Sequence, residues 1–565
     1  MSSFTPRAPS DDQKFILDHI IGYSEIAATP AFSEAGPEIT EAMLGAAARI
    51  CDEVVAPVNR NGDLFPARLE NGVLRSSPGF DTAFRAIAEG GLIGLSASAE
   101  FGGMGLPHTL ATCVNEMLAG ACLALQLNPL LTQGQVEALE HHASAELKAL
   151  YLPKLNSGEW SGTMNLTEPQ AGTDVGALRT KALANADGSY AITGQKIFIT
   201  WGDSDLVSNV CHLVLARLPD APAGTKGISL FLVPKYLPDA DGNPGTANSL
   251  RVVSLEHKLG IHGSPTCVME FSDATGWLVD APGKGMAAMF TMMNNARLGV
   301  GMQGVGLAET ALQAATAYAR DRIQGKTPDG SPGIIGHADV RRILAEARAE
   351  LFSARVIGLG CAKAIDMARA TGDAHWKARA ALLTPIAKSY GTDTGIAIAD
   401  AALQIHGGMG YIEETGAAQY LRDIRITAIY EGTNGIQAMD LVGRKLVDSG
   451  EAALRMIHEI QTDAREARTS LPELADPLWQ AAEALREATE AMLAAEMNDR
   501  FAGASAYLRA FALVLGGDAH LRAALADPSR LALARVMIRR LLPQHEALLA
   551  AAGEPAAVLY AALPA

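Results

Sequence analysis

The spacing of apolar residues changes twice along this chain, and those two changes limit its fold more than any other feature. Up to about residue 158 apolar positions recur at intervals of three and four, the repeat of a helix with one buried face. Between 161 and 280 glycines and β-branched residues become common and apolar residues alternate, the period of a half-buried strand. From Gly285 the helical period returns. A helical segment, a β segment and a second helical region therefore follow one another along 565 residues, a length that suits several domains rather than one.

Within the first segment, Phe15, Ile16, His19 and Ile20 share a face in an amphipathic piece over 12–23. Helices are expected over 38–57, 80–90, 106–123 and 135–150, with a loop rich in Asn, Gly and Pro over 59–79 and a Gly-rich turn at 100–107. The apolar run 118–131 contains Asn128 and Pro129 and is too short to span a bilayer, so it reads as a core helix. His141 and His142 read as a solvated helix end rather than a metal site, since adjacent helical side chains do not face each other. In the β segment, 190–200 reads as a hairpin after an Asp187-Gly188 turn, and further strands are expected at 211–218, 227–234, 250–257 and 266–271. Helices over 286–322, 338–370, 374–406 and 436–448 with short connections describe a bundle, with Gly407-Gly408-Met409-Gly410 capping the third. Residues 451–565 form further helices interrupted at Pro472, Gly516-Gly517 and Pro528. The expected fold is α+β, mostly α. Its domains are an extension (1–36), an N-terminal helical domain (37–160), a central β domain (161–280), β-barrel-like in the family that the motifs below resemble, a helical bundle (281–450) and an extra C-terminal helical domain (451–565).

The formal charge of −16 argues against a nucleic-acid partner, which requires a basic surface. Six cysteines without a Cys-x-x-Cys pair provide neither metal-ligand spacing nor a disulfide framework, so no metal is expected. They read as reduced thiols of a cytoplasmic protein. No secretory signal is read at the N-terminus, and no membrane insertion is expected.

The chemistry can be sought in a few stretches. Ala428 to Gln437 places one carboxylate, Glu431, between an apolar run and a Gly-Thr-Asn-Gly turn. Such a group is either a base whose pKa burial has raised or a surface carboxylate opening the next helix. Met164 to Val175 contains Thr167, Pro169, Gly172 and Thr173 in a loop that can present amides and hydroxyls to a planar heterocycle, or is only a turn. Lys196 to Trp201 places an aromatic and a hydroxyl at a strand end, and an ordinary half-buried strand explains it equally. Ala319 to Lys326 closes a long helix with charges. Gln404 to Gly410 has no preceding strand and is not read as a dinucleotide loop.

Taken together, these stretches resemble the acyl-CoA dehydrogenase family. The resemblance rests on Leu166-Thr-Glu-Pro-Gln-Ala-Gly-Thr-Asp174, Gly194-Gln-Lys-Ile-Phe-Ile-Thr200, Lys258-Leu-Gly-Ile-His-Gly-Ser264, Gln404-Ile-His-Gly-Gly408 and Ile429-Tyr-Glu-Gly-Thr433, in order across about residues 80–445. The long form, together with Gly263-Ser-Pro-Thr266, Asn294-Asn-Ala-Arg-Leu-Gly-Val300, Arg322-Ile-Gln-Gly325 and Tyr430-Glu-Gly-Thr-Asn-Gly-Ile-Gln437, is similar to the large bacterial branch that includes 3-methylmercaptopropionyl-CoA dehydrogenases.

The resemblance implies FAD held between the β domain and the second helical domain, with α,β-oxidation of an acyl-CoA. On that branch the reaction converts 3-methylmercaptopropionyl-CoA to methylthioacryloyl-CoA in sulfur-compound catabolism. The alternatives are a fatty acyl-CoA dehydrogenase of β-oxidation and an oxygen-using oxidase of the same fold. It implies Glu431 as the α-proton base, with hydride passing to flavin N5. Met164, Leu166, Thr167, Gly172 and Thr173 would line the flavin, with Phe198, Ile199 and Thr200 along its other edge. Arg322, Gln324, Gln404, His406, Gly407 and Gly408 would reach the FAD of a neighbouring subunit. Thr433 and Gly435 would follow the diphosphate, and Thr173, Asn294, Arg297 and Glu431 would meet the substrate. Thr173, Phe198, Gln324 and Asn294 depart from the residues common at those places in relatives. An electron-transfer flavoprotein as acceptor and a homodimer, with a tetramer as the alternative, complete the implied picture.

Overall fold

In the computed structural model, which describes residues 4–563, helix accounts for 63% and strand for 13%. The chain is therefore mostly α with a confined β region, as the periodicity predicts. It forms two compact units. One runs from Ala42 to Ala296, and the other joins the residues up to Glu41 with those from Arg297 onward.

In the unit from Ala42 to Ala296, seven strands make the main sheet: β1 (Trp160–Asn165), β2 (Lys181–Ala184), β3 (Tyr190–Thr200), β4 (Asn209–Arg217), β5 (Ile228–Pro234), β6 (Leu250–Leu255) and β7 (Thr266–Val279). Strand β3 pairs with β2 and β7, β2 with β4, β4 with β5, and β5 with the end of β7. Five strands thus close on themselves, and closure removes free edges. β1 lies parallel beside β4 and β6 antiparallel beside β7. The stretch 190–200 is one continuous strand. Its hairpin partner is β2, across the Asp187-Gly188 turn.

The sheet packs on the helices His108–His142 and Ala145–Asn156 through Leu139, Tyr151, Leu155, Leu213 and Leu230. His108–His142 is the one helix among the described residues long and apolar enough to cross a membrane, and its most apolar window is wholly buried within the fold. It continues past both expected boundaries. Its interior breaks at Cys122 (φ −160°, ψ 95°), and Trp201 Nε1 donates to the Ala124 carbonyl at 3.1 Å just beyond. The helix expected over 135–150 is instead divided at Ser144, whose hydroxyl accepts from Leu147 N at 3.4 Å and opens a new helix. His142 is half-buried. Its ring stands 3.1 Å from Asp280 Oδ2 and 2.9 Å from Thr291 Oγ1, so it is a bonded side chain rather than a solvated end.

In the other unit, long helices at Ala338–Thr371 and Ala374–His406 pack with the part of Gly285–Asp321 that follows Ala296. One apolar cluster runs from Leu298 through Leu351, Ile386 and Ile457 to Leu542 and Ala552. The bundle and the C-terminal helices therefore share a core. Between Gly285–Asp321 and Ala374–His406 the backbones meet through glycines. A Cβ on Gly304 would stand 2.5 Å from the Gly391 carbonyl, and one on Gly391 would stand 2.6 Å from that of Gly301. Gly304→Ala is expected to destabilise by about 1–3 kcal/mol through overpacking. Gly360 also lies within a helix, but a Cβ added there would meet no atom within 4 Å, and Gly360→Ala should stabilise by up to about 1 kcal/mol. Thermal unfolding of both variants checks the opposite signs.

The extension before Glu41 is fastened by charge. Asp12 lies 2.9 Å from Arg530 and 3.5 Å from the buried Arg355, and the Arg530 guanidinium covers the Phe15 ring at 3.7 Å. Lys363 Nζ donates to the Ile21 carbonyl at 2.6 Å.

Candidate active site

In the unit from Ala42 to Ala296, the loop after β1 is held against β3. Ile197 N donates to the Thr167 carbonyl at 2.9 Å, and Lys196 Nζ donates to the Leu166 carbonyl at 3.0 Å. Beneath the loop, Glu168 accepts from Lys196 Nζ at 2.8 Å, Thr180 Oγ1 at 2.6 Å, Arg179 N at 2.6 Å and Gln170 Nε2 at 2.7 Å. Burial works to raise the Glu168 carboxyl. The Lys196 charge and these hydrogen bonds outweigh it and bring the group down to about 2.

This clamp leaves Met164, Leu166 and Thr167 half-buried and Gly172 and Thr173 exposed. Opposite them β3 is irregular, because Cys267 faces Ile199 while Met269 faces Lys196. Two residues on β3 therefore face one on β7, a bulge. In it Phe198 takes a left-handed φ of +60° and stands 59% exposed. Strain at an exposed aromatic marks a place where the fold directs a ring outward. Thr200 is half-buried beside it. Ile199 differs, with its side chain in the barrel core at 2% exposure, so only its backbone is available to a ligand. Asn294 is exposed.

The unit from Arg297 onward carries two groups of the expected residues. The first is an exposed rim. Arg322 and Gln324 follow the helix Gly285–Asp321, and Gln404, Gly407 and Gly408 end the helix Ala374–His406; all five are exposed. The ring of His406 meets Tyr318 at 4.5 Å between centroids, which joins the two helix ends. Gly407 turns the chain with φ +59°. A Cβ added at Gly407 or at Gly408 would meet no atom within 4 Å, so both leave bare backbone facing open space.

The second group surrounds Glu431. Tyr430 N donates to the Ile426 carbonyl at 3.1 Å, and the Tyr430 hydroxyl donates to Gln303 Oε1. Glu431 itself is left-handed, with φ +55°, as is Gly432, with φ +87°. Thr433 then caps the helix Asn434–Asp440, its Oγ1 accepting from Ile436 N at 3.4 Å. Gly435 is exposed in the first turn. The Glu431 side chain is half-buried. Burial raises its carboxyl to about 7, against the Arg297 and Lys388 charges that lower it, and no hydrogen bond from the described residues holds it. Its N–H donates to no other group among the described residues. Arg297 is 7% exposed and 3.8 Å from Asp440. Its charge therefore stands beside the carboxylate rather than on an open surface.

Sequence reasoning missed Lys388. It is fully buried, donates to the Gly432 carbonyl at 3.0 Å and to Asn434 Oδ1 at 2.8 Å. Its position on the apolar face of a helix, after Ile386 and Ala387, was the available signal.

Family comparison covers nearly the whole chain. Residues 37–159, 163–274 and 283–446 match the N-terminal, middle and C-terminal domains of acyl-CoA dehydrogenase, and 456–562 match the "acetyl-CoA dehydrogenase C-terminal like" domain. The chain is 43% identical over 518 residues to 3-methylmercaptopropionyl-CoA dehydrogenase of Ruegeria pomeroyi, covering 89% of this chain and 88% of that one. It is 35% identical over 471 residues to a butyryl-CoA dehydrogenase of Syntrophomonas wolfei, covering 80% and 77%. Among solved structures, the acyl-CoA dehydrogenase of Bacillus anthracis complexed with FAD superposes with a TM-score of 0.77 at 20% identity, over 98% of this chain and 94% of that one, a likeness of fold. The chain belongs to the acyl-CoA dehydrogenase family and is an oxidoreductase that acts on a carbon–carbon bond of an acyl-CoA.

Proposed function

We propose that the protein oxidises the Cα–Cβ bond of a short acyl-CoA thioester with FAD as cofactor, and that Glu431 is the base. The observation that carries this reading is the Glu431 carboxylate, which is half-buried, raised to about 7 and free of hydrogen bonds from the described residues. A thioester α-proton is weakly acidic, and its removal needs a base with a pKa near the working pH and a donor for the developing enolate oxygen. The Glu431 N–H, which donates to no other group among the described residues, is suited to be that donor. Bound FAD supplies the acceptor for the hydride leaving Cβ.

The residues present suit that cofactor. The half-buried Met164, Leu166 and Thr167 and the outward Phe198 offer an apolar edge with a hydroxyl for a planar ring, and Thr173 adds a second hydroxyl. The exposed Arg322 and the bare backbone at Gly407, Gly408 and Gly435 would hold phosphate oxygens. Gln324, Gln404 and His406 stand on the same rim, and a second copy of the chain would receive it in a homodimer. Asn294 would meet the CoA moiety. Electrons would leave to an electron-transfer flavoprotein.

For the acyl group we propose 3-methylmercaptopropionyl-CoA, supported by the 43% identity to the Ruegeria enzyme. A short straight-chain acyl-CoA is the second reading, supported by the Syntrophomonas butyryl-CoA dehydrogenase at 35%. One methylene discriminates by only about 1–3 kcal/mol. The deciding experiment is therefore a comparison of kcat/KM across acyl-CoA thioesters with a dye acceptor. A tenfold preference for butyryl-CoA over the methylthio substrate would overturn the first choice, and no bleaching of the flavin by any thioester would overturn the reaction. Air reoxidation with peroxide release would replace the flavoprotein acceptor by oxygen.

A base must be deprotonated to act. With the carboxyl raised to about 7, kcat/KM should climb tenfold per pH unit below 7 and level off above it. A profile already flat at pH 5 would remove Glu431 from the role.

A further inference from the structure

Two consecutive left-handed residues, Glu431 and Gly432, turn their carbonyl groups inward. The Glu431 carbonyl accepts from Gln437 Nε2 at 3.2 Å. The Gly432 carbonyl accepts from Gln437 Nε2 at 3.3 Å and from Lys388 Nζ at 3.0 Å. A left-handed glutamate is strained relative to a right-handed one, so the turn persists only because its surroundings hold it.

Lys388 comes from the middle of the helix Ala374–His406. That helix lies against the neighbouring backbone through glycines at 391 and 395, one and two turns further along. The Lys388 ammonium is fully buried and bridges the carbonyl following the base to Asn434 Oδ1 at 2.8 Å. The Asn434 amide donates in turn to Thr392 Oγ1 at 2.9 Å and to Asp393 Oδ1 at 2.6 Å. The turn is thus fastened to one helix through Lys388, Ser389, Thr392 and Asp393. A buried cation is costly, and a neutral donor would bond the carbonyl at less cost. What the charge adds is an electrostatic effect on its neighbours.

We propose that Lys388 is a positioning residue that holds the Glu431–Gly432 turn in its left-handed form and supplies a positive charge beside the Glu431 carboxylate. The proposal rests on Glu431 being the base. The charged groups around the pair are Asp393 on the same helix, Arg297 from the helix Gly285–Asp321, and Glu431 itself; Asp440 faces Arg297. Burial lowers Lys388 to about 8, so it is mostly an ammonium at neutral pH, and its charge works against the burial that raises Glu431. Removing the charge should raise the base further, and removing the donor should let the turn relax.

The test uses the FAD-loaded enzyme with Lys388→Met, Lys388→Gln and Lys388→Arg beside Glu431→Gln. Lys388→Met is expected to lower kcat about 10- to 100-fold, the scale of a 1 Å misplacement. Its KM and flavin content should stay within twofold of the parent, and the ascending pH limb should rise by about one unit. Lys388→Gln keeps a donor without the charge, so kcat should recover in part while the limb stays raised. Lys388→Arg keeps the charge and should keep the parent limb. A folded Lys388→Met with the parent limb and rate overturns the proposal. If Lys388→Met does not fold, equal limbs in the Gln and Arg variants overturn it instead. If Glu431→Gln is inactive while the Lys388 variants are normal, only the positioning role falls. An active Glu431→Gln overturns the base assignment itself.

Discussion

Glu431→Gln is expected to slow bleaching of the flavin by substrate about 100- to 10,000-fold, the usual worth of a positioned base, while FAD and acyl-CoA still bind. The change is nearly isosteric and leaves the backbone untouched. The Glu431 N–H, the left-handed φ of +55° and the carbonyl contact with Gln437 all remain. What is lost is a proton acceptor, and no other carboxylate is available on the turn, which continues as Gly432, Thr433 and Asn434. Anaerobic mixing of the loaded variant with substrate, followed at the flavin absorbance, reads the chemical step directly. Equilibrium binding of the thioester to the oxidised variant reads the ground state. A variant that bleaches within tenfold of the parent rate places the base elsewhere. A variant that fails to bind substrate gives the carboxylate a binding role instead.

Lys196→Met is expected to cost about 3–5 kcal/mol of stability, the effect of leaving a buried charge without its partner. Glu168 is 4% and Lys196 0% exposed, and their 2.8 Å contact lies directly under the loop that carries Leu166 and Thr167. The Glu168 carboxyl is depressed to about 2 from an ordinary 4.5. Its stabilising contribution is therefore complete above about 4.5 and is lost as the pH falls through about 2. In Lys196→Met that depression shrinks, and acid unfolding should begin at a higher pH. The same substitution frees the Leu166 carbonyl, so FAD retention should fall with stability. Urea unfolding at pH 7 and at pH 4 measures both effects, and a loss under 1 kcal/mol at pH 7 would show that the pair is dispensable.

Much of the architecture was legible because hydrophobic period is a local property. The switch near residue 160 and the return at Gly285 fall where β1 begins and where the long helix starts. Closure of the barrel was expected only through the family resemblance, because the pairing of β5 with the end of β7 joins positions far apart in sequence. The break at Ser144 depends on one capping hydroxyl, and a helical period runs through it undisturbed. Around the proposed base, Glu431 and Thr433 sit in a short motif that a reader can find. Lys388, 43 positions earlier, is a lysine on an apolar helical face. Its meaning appears only once the helix is laid against the turn. Arg297 is a second residue whose surroundings come from the fold. The resemblance implied a substrate contact for it, and its burial beside Asp440 and Glu431 was not readable from the sequence.

The contact between Asp12 and Arg530 spans 518 positions. During synthesis at roughly 5–20 residues per second, the first partner therefore waits about 25–100 s for the second. The segment Ala42 to Ala296 lies wholly inside that interval, so all of its residues are synthesised before those of the other unit are complete. The amphipathic piece around Phe15 and Ile16 must stay soluble, or be shielded by a chaperone, until the last helices leave the ribosome. A truncation that removes Arg530 should therefore leave the barrel unit folded while exposing the N-terminal segment to protease, whatever the state of the flavin site.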